Sequence, residues 1–432
     1  MRTFFWFFTF SFFLMASNVY GQLEPYQTDT TNTLVKEFNL IREKFQNLSL
    51  SGYIQTQFQY AQSKGIESFN GGDFVQDVDN RFLIRRGRMR IDYTLLNYQG
   101  YKKTYFAFQF DATERGVFMR DMFLRLFENK WNNFVLTSGM FNRPFGYELQ
   151  MPSALRESPE RGRMSQILMR TERDLGFMLS FKPQRKSNSL HHLNIDLGIF
   201  NGPGLTAPFD YDNYKDIIAR ISMNDVKVSN SHMLFSGGIS YLNGGLGTKN
   251  QSVFAINSDR NITSMVADTA SSNLNRRLPR TYYGIDARVK LPFSTNNTVE
   301  LRTEYIFGTQ SSLKGNNQTP ITLPNEPVYI RNFNGAYFYL IVNVRSKHQF
   351  LVKYDLFDPN TDVAGTDIAE NNGFTKADIK YATLGFGYSY YFNPYTKMLF
   401  YYDMPKNEIT AIPSYAKDLK DNTFTIRTQL LF

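Results

Sequence analysis

The stretch 81–93, "RFLIRRGRMRIDY", places Arg86, Arg88 and Arg90 two residues apart. On a helix, residues at that spacing point about 200° apart around the axis, whereas on a strand they share one face. The run therefore reads as a β-strand, with Ile84, Arg86, Arg88, Arg90 and Asp92 on one side and Gly87, Met89, Ile91, Tyr93 and Leu95 on the other. Guanidinium keeps its proton near neutrality and offers several planar donors, so such a column is a ladder of permanent charge for oxyanions. An arginine facing lipid at mid-bilayer costs roughly 2–4 kcal/mol, so three on one lipid-exposed face are prohibitive and the column must look into water. Asp92, Asp111 and Asp121 are expected on the same inner surface, where they can pair with these arginines and set the strength of the ladder.

A second basic segment follows, "MFNRPFGYELQMPSALRESPERGRMSQILMRTERDLGFML", carrying Arg143, Arg156, Arg161, Arg163, Arg170 and Arg173. It is too long for a plain turn. Folded inward, it narrows the passage at the point where water is scarcest and charge discriminates most strongly. Arg143, beside Pro144 and Gly146, is the candidate constriction residue. The later arginines fit an inward loop or an exterior loop touching lipopolysaccharide phosphates or a neighbouring subunit. Strand parity adds Lys103, Arg220, Arg288, Lys290, Arg302, Lys397 and Arg427 to the inner surface, with Asp216, Asp286, Glu300, Glu304 and Asp403 near enough to pair with several of them.

The elements that position these residues are strands. In "LSGYIQTQFQY", Ile54, Thr56, Phe58 and Tyr60 alternate with Gln55, Gln57 and Gln59, and the same period of two recurs in "KTYFAFQFD", "HLNIDLGIF", "YGIDARVKL" and "QFLVKYDLF". About sixteen such segments begin near positions 50, 82, 102, 118, 133, 174, 191, 215, 232, 282, 298, 333, 348, 381, 396 and 422. Short connections such as "NYQG", "RSK" and "NPY" alternate with long ones, which an up-and-down transmembrane barrel requires and a soluble sandwich does not. The final strand, "NTFTIRTQLLF", ends on Phe432 with Leu430, Thr428, Ile426 and Phe424 on one face, and is similar to the C-terminal signature read by barrel assembly machinery. Aromatics make up 16% of the 432 residues, a bias towards strands.

Residues 1–21, with Arg2, an apolar core from Phe4 to Ala16 and small residues near the end, read as a secretory leader cleaved before Gln22. A periplasmic segment over 22–49 precedes the barrel of 50–432. Within it Leu34, Phe38, Ile41, Phe45 and Leu48 form a heptad-like stripe, an amphipathic helix that packs on its own barrel or pairs between subunits. The absence of cysteine excludes disulfides and thiolate metal sites, and no cofactor is implied. The net charge of +9 favours anionic partners.

The early "FLIRRGRMRIDY" strand, the "GMFNRPFGYE" turn, "RTERDLGFML", and "IFNGPG" followed by "DIIARI" resemble, in this order, the phosphate-selective porin family, the O and P type of outer-membrane channel. Later "YYGIDARVKLPF", "LRTEYIFGTQ", "KHQFLVKYDLFDPN" and "YYFNPYTKMLFYYDMP" extend the resemblance over almost the whole mature chain. It implies a trimer of sixteen-stranded barrels, with Arg86, Arg88 and Arg90 as the arginine ladder and Arg143 at a constriction loop. The expected function is passive diffusion of small anions such as phosphate through a Gram-negative outer membrane. A receptor or adhesin displaying the Asn-, Ser- and Gly-rich loops is the alternative. A barrel lipid hydrolase is the less favoured one, because His191, His192, His232 and His348 have no recognisable serine partner motif. Nucleic acid is not an expected partner, since the basic residues form no compact exterior patch.

Overall fold

A computed structural model describes residues 45–228, 232–259 and 262–432, and it is almost wholly antiparallel strand. The first nine strands are β1 (Leu48–Ala61), β2 (Asn80–Leu96), β3 (Lys102–Thr113), β4 (Gly116–Phe127), β5 (Phe134–Asn142), β6 (Arg173–Phe181), β7 (Leu193–Phe200), β8 (Asp216–Lys227) and β9 (Leu234–Leu246). A hairpin of β10 (Val253–Asp259) and β11 (Ile262–Asp268) comes next. The remainder are β12 (Leu278–Ser294), β13 (Asn297–Leu313), β14 (Val328–Val344), β15 (His348–Asp358), β16 (Tyr381–Asn393), β17 (Thr396–Asn407) and β18 (Thr423–Leu431).

Each of β1–β9 pairs with its successor, β9 pairs directly with β12, and the series continues to β18, which returns to β1. With β10 and β11 outside the wall, the chain forms the expected closed barrel of sixteen strands. Every expected strand start lies within five residues of an observed one, the largest offsets being at Leu278 and Val328. At the seam, Gly52 and Phe432 exchange both backbone hydrogen bonds at 2.9 Å, and Gln55, Gln57 and Gln59 face Gln429, Arg427 and Thr425 on the inside. Ile54 and Tyr60, from the other parity, are exposed on the outer surface. The β10–β11 hairpin was not anticipated. It meets β14 through Val253 and Val328, with Phe254 stacked on Tyr329 at 4.5 Å.

Among the described residues six register shifts interrupt the strand pairings, and three of them bear on basic residues. Gln55 pairs with Arg86 but Thr56 pairs with Ile84, so Arg85 is an extra residue in β2. Ile84, expected beside the arginines, therefore points outward with Phe82, while Arg85 and Arg86 both point in. In β4 the extra residue is Arg120, between Asp121, opposite Gln109, and Met119, opposite Phe110, so Arg120 and Asp121 both face inward. Near the start of β3, Lys103 is the extra residue between Lys102 and Thr104.

Of the expected N-terminal helix, Leu34, Phe38 and Ile41 lie outside the described residues, as does the leader. Leu48 opens β1 rather than ending a helix.

Ile221, Ile239 and Ile285 are register partners on the outer face of β8, β9 and β12. Replacing Ile239 by Arg is expected to cost roughly 2–4 kcal/mol of folding free energy in a urea titration of barrels refolded into lipid vesicles. Ser222→Arg, on the inner face of β8, is expected to stay within about 0.5 kcal/mol of the parent.

Candidate functional site

The connection between β5 and β6, residues 143–172, folds into the lumen and reaches across it. Its neck is closed by the Arg143 N–H donating to the Glu172 carbonyl at 3.0 Å. At Gly146 the backbone has φ of 60°, and a Cβ there would lie 2.0 Å from a Glu304 carboxylate oxygen. The chain therefore passes close to β13, where the Tyr147 and Glu148 N–H groups donate to Glu304 at 3.0 and 2.9 Å. Further along, Ser153 takes hydrogen bonds at 2.6 Å with Tyr53 of β1 and Arg88 of β2. Glu157 receives both terminal nitrogens of Arg302 at 3.0 and 3.1 Å. The segment then forms a short helix, α1 (Arg163–Leu168).

The Arg86, Arg88 and Arg90 side chains share the inner face, and each is paired. Arg86 donates to Glu160 of the loop at 2.5 and 2.9 Å. Arg88 reaches Asp111 at 3.1 Å, and Arg90 reaches Asp92 at 2.9 Å and Asp121 at 2.7 Å. Arg90 is the most open of the three, with its side chain 26% exposed.

The other candidates are dispersed. Arg143 does not present charge to open space. It is 2% exposed and donates to the carbonyls of Gly202 and Thr171, so it pins the root of the loop, where the return of the chain at Thr171 and Glu172 encloses it. Arg156 approaches Glu160 at 3.7 Å, and Arg161 pairs with Glu172 at 3.3 Å. Arg163 lies over the rings of Phe69 and Tyr381 at 4.3 and 3.6 Å. Arg220 stands apart on β8, bonded to Asp286 at 2.6 and 3.0 Å. Lys103 is exposed as the bulge residue, and Lys102 instead lines the interior.

The loop divides the interior. Towards the long connections lies a cavity of about 570 Å³ that includes Arg85, Arg163 and Arg170 in its lining. Towards the short turns lies one of about 880 Å³, and the two share no lining residue. The larger cavity is lined by Arg88, Arg90, Lys102, Arg125, Arg173 and Lys182 against Asp121 and Asp196, six cations to two carboxylates. Arg125 lies over Phe123 at 4.9 Å and Lys102 over Tyr105 at 5.5 Å. Among the described residues neither they nor Lys182 has a carboxylate within ion-pairing distance. Burial, with Arg125 and Lys102 nearby, holds the Lys182 amine below its usual range.

Sequence parity missed Arg85 and Arg120, which only bulges bring inside. Lys182 escaped because it sits in a turn, and Glu157 and Glu160 because loop carboxylates carry no periodic signal. The run "RR" at 85–86 was the one available hint, since two adjacent arginines cannot both leave lipid without a bulge.

No protein-family model and no curated protein matches the chain. Among solved structures, it is similar to an anion-selective porin from Comamonas acidovorans, with a TM-score of 0.52 at 10% identity over 89% of this chain and 99% of that one. It is also similar to the outer-membrane channel DcaP of Acinetobacter baumannii, with a TM-score of 0.52 at 12% identity over 89% and 97%. The fold is thus that of the outer-membrane porins.

Arg302→Ala leaves Glu157 and Glu300 buried without their shared guanidinium. It is expected to cost roughly 3–5 kcal/mol, the loss typical of removing one partner from a buried pair. The unfolding free energy of the variant in lipid vesicles checks this.

Proposed function

We propose that this chain is an outer-membrane porin through which small anions, phosphate among them, diffuse passively. The observation that carries the reading is the lining of the larger cavity, where six cationic side chains face two acidic ones and Arg125, Lys102 and Lys182 have no carboxylate of the described residues within ion-pairing distance. Permanent guanidinium charge at a narrow, water-filled passage raises the local concentration of anions and repels cations. No bond is made or broken. Binding has only to be strong enough for entry and weak enough for release.

Arg90 belongs to this path as the most open rung of the ladder, while Arg86 and Arg88 act through the carboxylates and the loop they hold. Arg156, Arg161 and Arg163 position the loop, and Arg220 shapes the field on the opposite wall. The apolar outer belt suits outer-membrane lipid, and an exposed basic group such as Arg115 suits lipopolysaccharide phosphates. Export by the leader at 1–21, and assembly as a homotrimer as the family resemblance implies, complete the reading. The anion-selective porin with the same fold, though too distant to carry function over, is consistent with it.

In planar bilayers under a tenfold KCl gradient, the reversal potential is expected to show chloride permeating more readily than potassium. Replacing Arg90, Arg125 and Lys182 together by Gln should bring the permeability ratio close to or below unity. Identical reversal potentials for the two channels would sink the proposal, and a chloride current indifferent to added phosphate would remove phosphate from it.

A further inference from the structure

On the outer face of β9, β12, β13 and β14 the side-chain chemistry changes abruptly from one rung of the sheet to the next. Ile239, Ile285 and Tyr305 are register partners in one outward rung, and Tyr241, Tyr283 and Phe307 in the next outward rung towards the long connections. The rings of Tyr241, Tyr283 and Phe307 follow one another at 5.2 and 5.3 Å, and all three are exposed. The outward rung after that is wholly polar, with Asn243, Thr281, Thr309 and Asn332 as partners. In it Thr309 donates to Asn332 at 2.9 Å, and Asn332 donates to Asp362 at 2.9 Å. Successive rungs on one face are about 7 Å apart, so an aromatic belt at the level of lipid head groups is followed directly by a hydrogen-bonding shelf.

Arg277, just before β12, is laid down onto this shelf. Its neighbour Leu278 pairs with Leu246, yet the Arg277 guanidinium reaches Asn243, nearer the membrane, and donates to its Oδ1 at 2.8 Å. The side chain runs through the place that Gly245 leaves empty, since a Cβ there would meet the Arg277 Nε at 2.6 Å. An exposed arginine on a loop ordinarily extends its charge into water. This one lies along the outer wall, directed towards the lipid. Among the described residues Asn243 is its one hydrogen-bonding partner and no carboxylate lies within ion-pairing distance, so most of its guanidinium donors stay free beside the aromatic belt.

We infer that Arg277, Asn243 and Thr281 form a docking site on the outer wall for the phosphate of an outer-leaflet glycolipid, whose acyl chains then lie over Tyr241, Tyr283 and Ile285. The inference rests on the outer-membrane reading and names the place where the wall holds its lipid. A cation with no acidic partner, fixed at head-group depth, is complementary to lipid phosphate, and the planar guanidinium matches two phosphate oxygens at once. Thr281 adds a hydroxyl donor, and Thr309 and Asn332 offer polar groups to the sugar beside the phosphate. A free phosphate ion has no acyl chain to lay on the aromatic belt and gains only the polar half of these contacts.

The test uses the full-length barrel in neutral detergent, with bisphosphorylated lipid A as the probe and native mass spectrometry reading the bound fraction. The parent is expected to bind this lipid roughly tenfold more tightly than the same lipid stripped of its phosphates. Arg277→Gln should abolish that difference. Gly245→Ala keeps the charge but fills the space in which the arginine lies, and should weaken binding of the phosphorylated lipid by about threefold. Equal affinity of the parent for the two lipids, or of the parent and Arg277→Gln for the phosphorylated one, overturns the inference. A Gly245→Ala barrel that binds like the parent overturns it too, because Arg277 would then act only as a diffuse charge. Inorganic phosphate that displaces the lipid at the lipid's own concentration assigns the site to a free ion and likewise overturns it. Lipid binding needs no current, so a channel that prefers potassium defeats the anion reading and leaves these affinities to decide the site.

Discussion

Hydrocarbon offers no hydrogen-bonding partner, so every backbone N–H and C=O that crosses it must be paired within the chain. A sheet meets that demand only by closing, and here β1 meets β18 with Gly52 and Phe432 bonded at the join. Closure divides side chains into two populations. One parity is apolar and faces outward, and the other collects Gln, Arg, Asp and Glu around an interior that sixteen strands make too wide for wall side chains to fill. The inward loop and its ionic contacts follow from that surplus of space and charge.

Bulges increase the surplus. A strict two-residue alternation admits one inward residue in two, but Arg85 and Arg120 each enter as an additional residue beside an inward neighbour. A polar group at either position on the outer face would sit in lipid, so inserting it as a bulge adds a cation to the lumen without surrendering an outward apolar position. Glu160 meets Arg85, and Glu172 lies 3.8 Å from Arg120, so the loop supplies a carboxylate opposite each added cation.

The wall was legible in the sequence because burial between lipid and water imposes a period that residue types cannot avoid. The starts of β3, β15, β16 and β17 coincide with the positions read from that period, and the alternating lengths of connections follow from the up-and-down order. The site was less legible. Arg86, Arg88 and Arg90 were readable because they obey the period; Ile84 was misread because the bulge at Arg85 breaks it. Arg143 carried no reliable sign of its surroundings, since whether a loop arginine faces water or caps carbonyls depends on where a chain thirty residues later returns. The hairpin of β10 and β11 was missed for a related reason: its two short strands pair with each other and touch the wall only at the start of β14, leaving no long alternation to read.

The inward loop is held by two different kinds of contact. On the side of β12 to β15 an apolar cluster, in which Phe145, Leu149, Met164, Leu168 and Met169 join Tyr282, Ile306, Phe333 and Phe357, accompanies the contacts of Glu157 with Arg302 and of Glu304 with the Tyr147 and Glu148 N–H groups. On the side of β1, β2 and β18 the contacts are polar and ionic, through Ser153, the Ala154 and Pro159 carbonyls and Glu160. Apolar packing has no soluble competitor, whereas a charge-assisted hydrogen bond does, in the form of any dissolved ion of the same sign. The loop is therefore anchored by contacts that dissolved ions do not weaken as well as by contacts that they do.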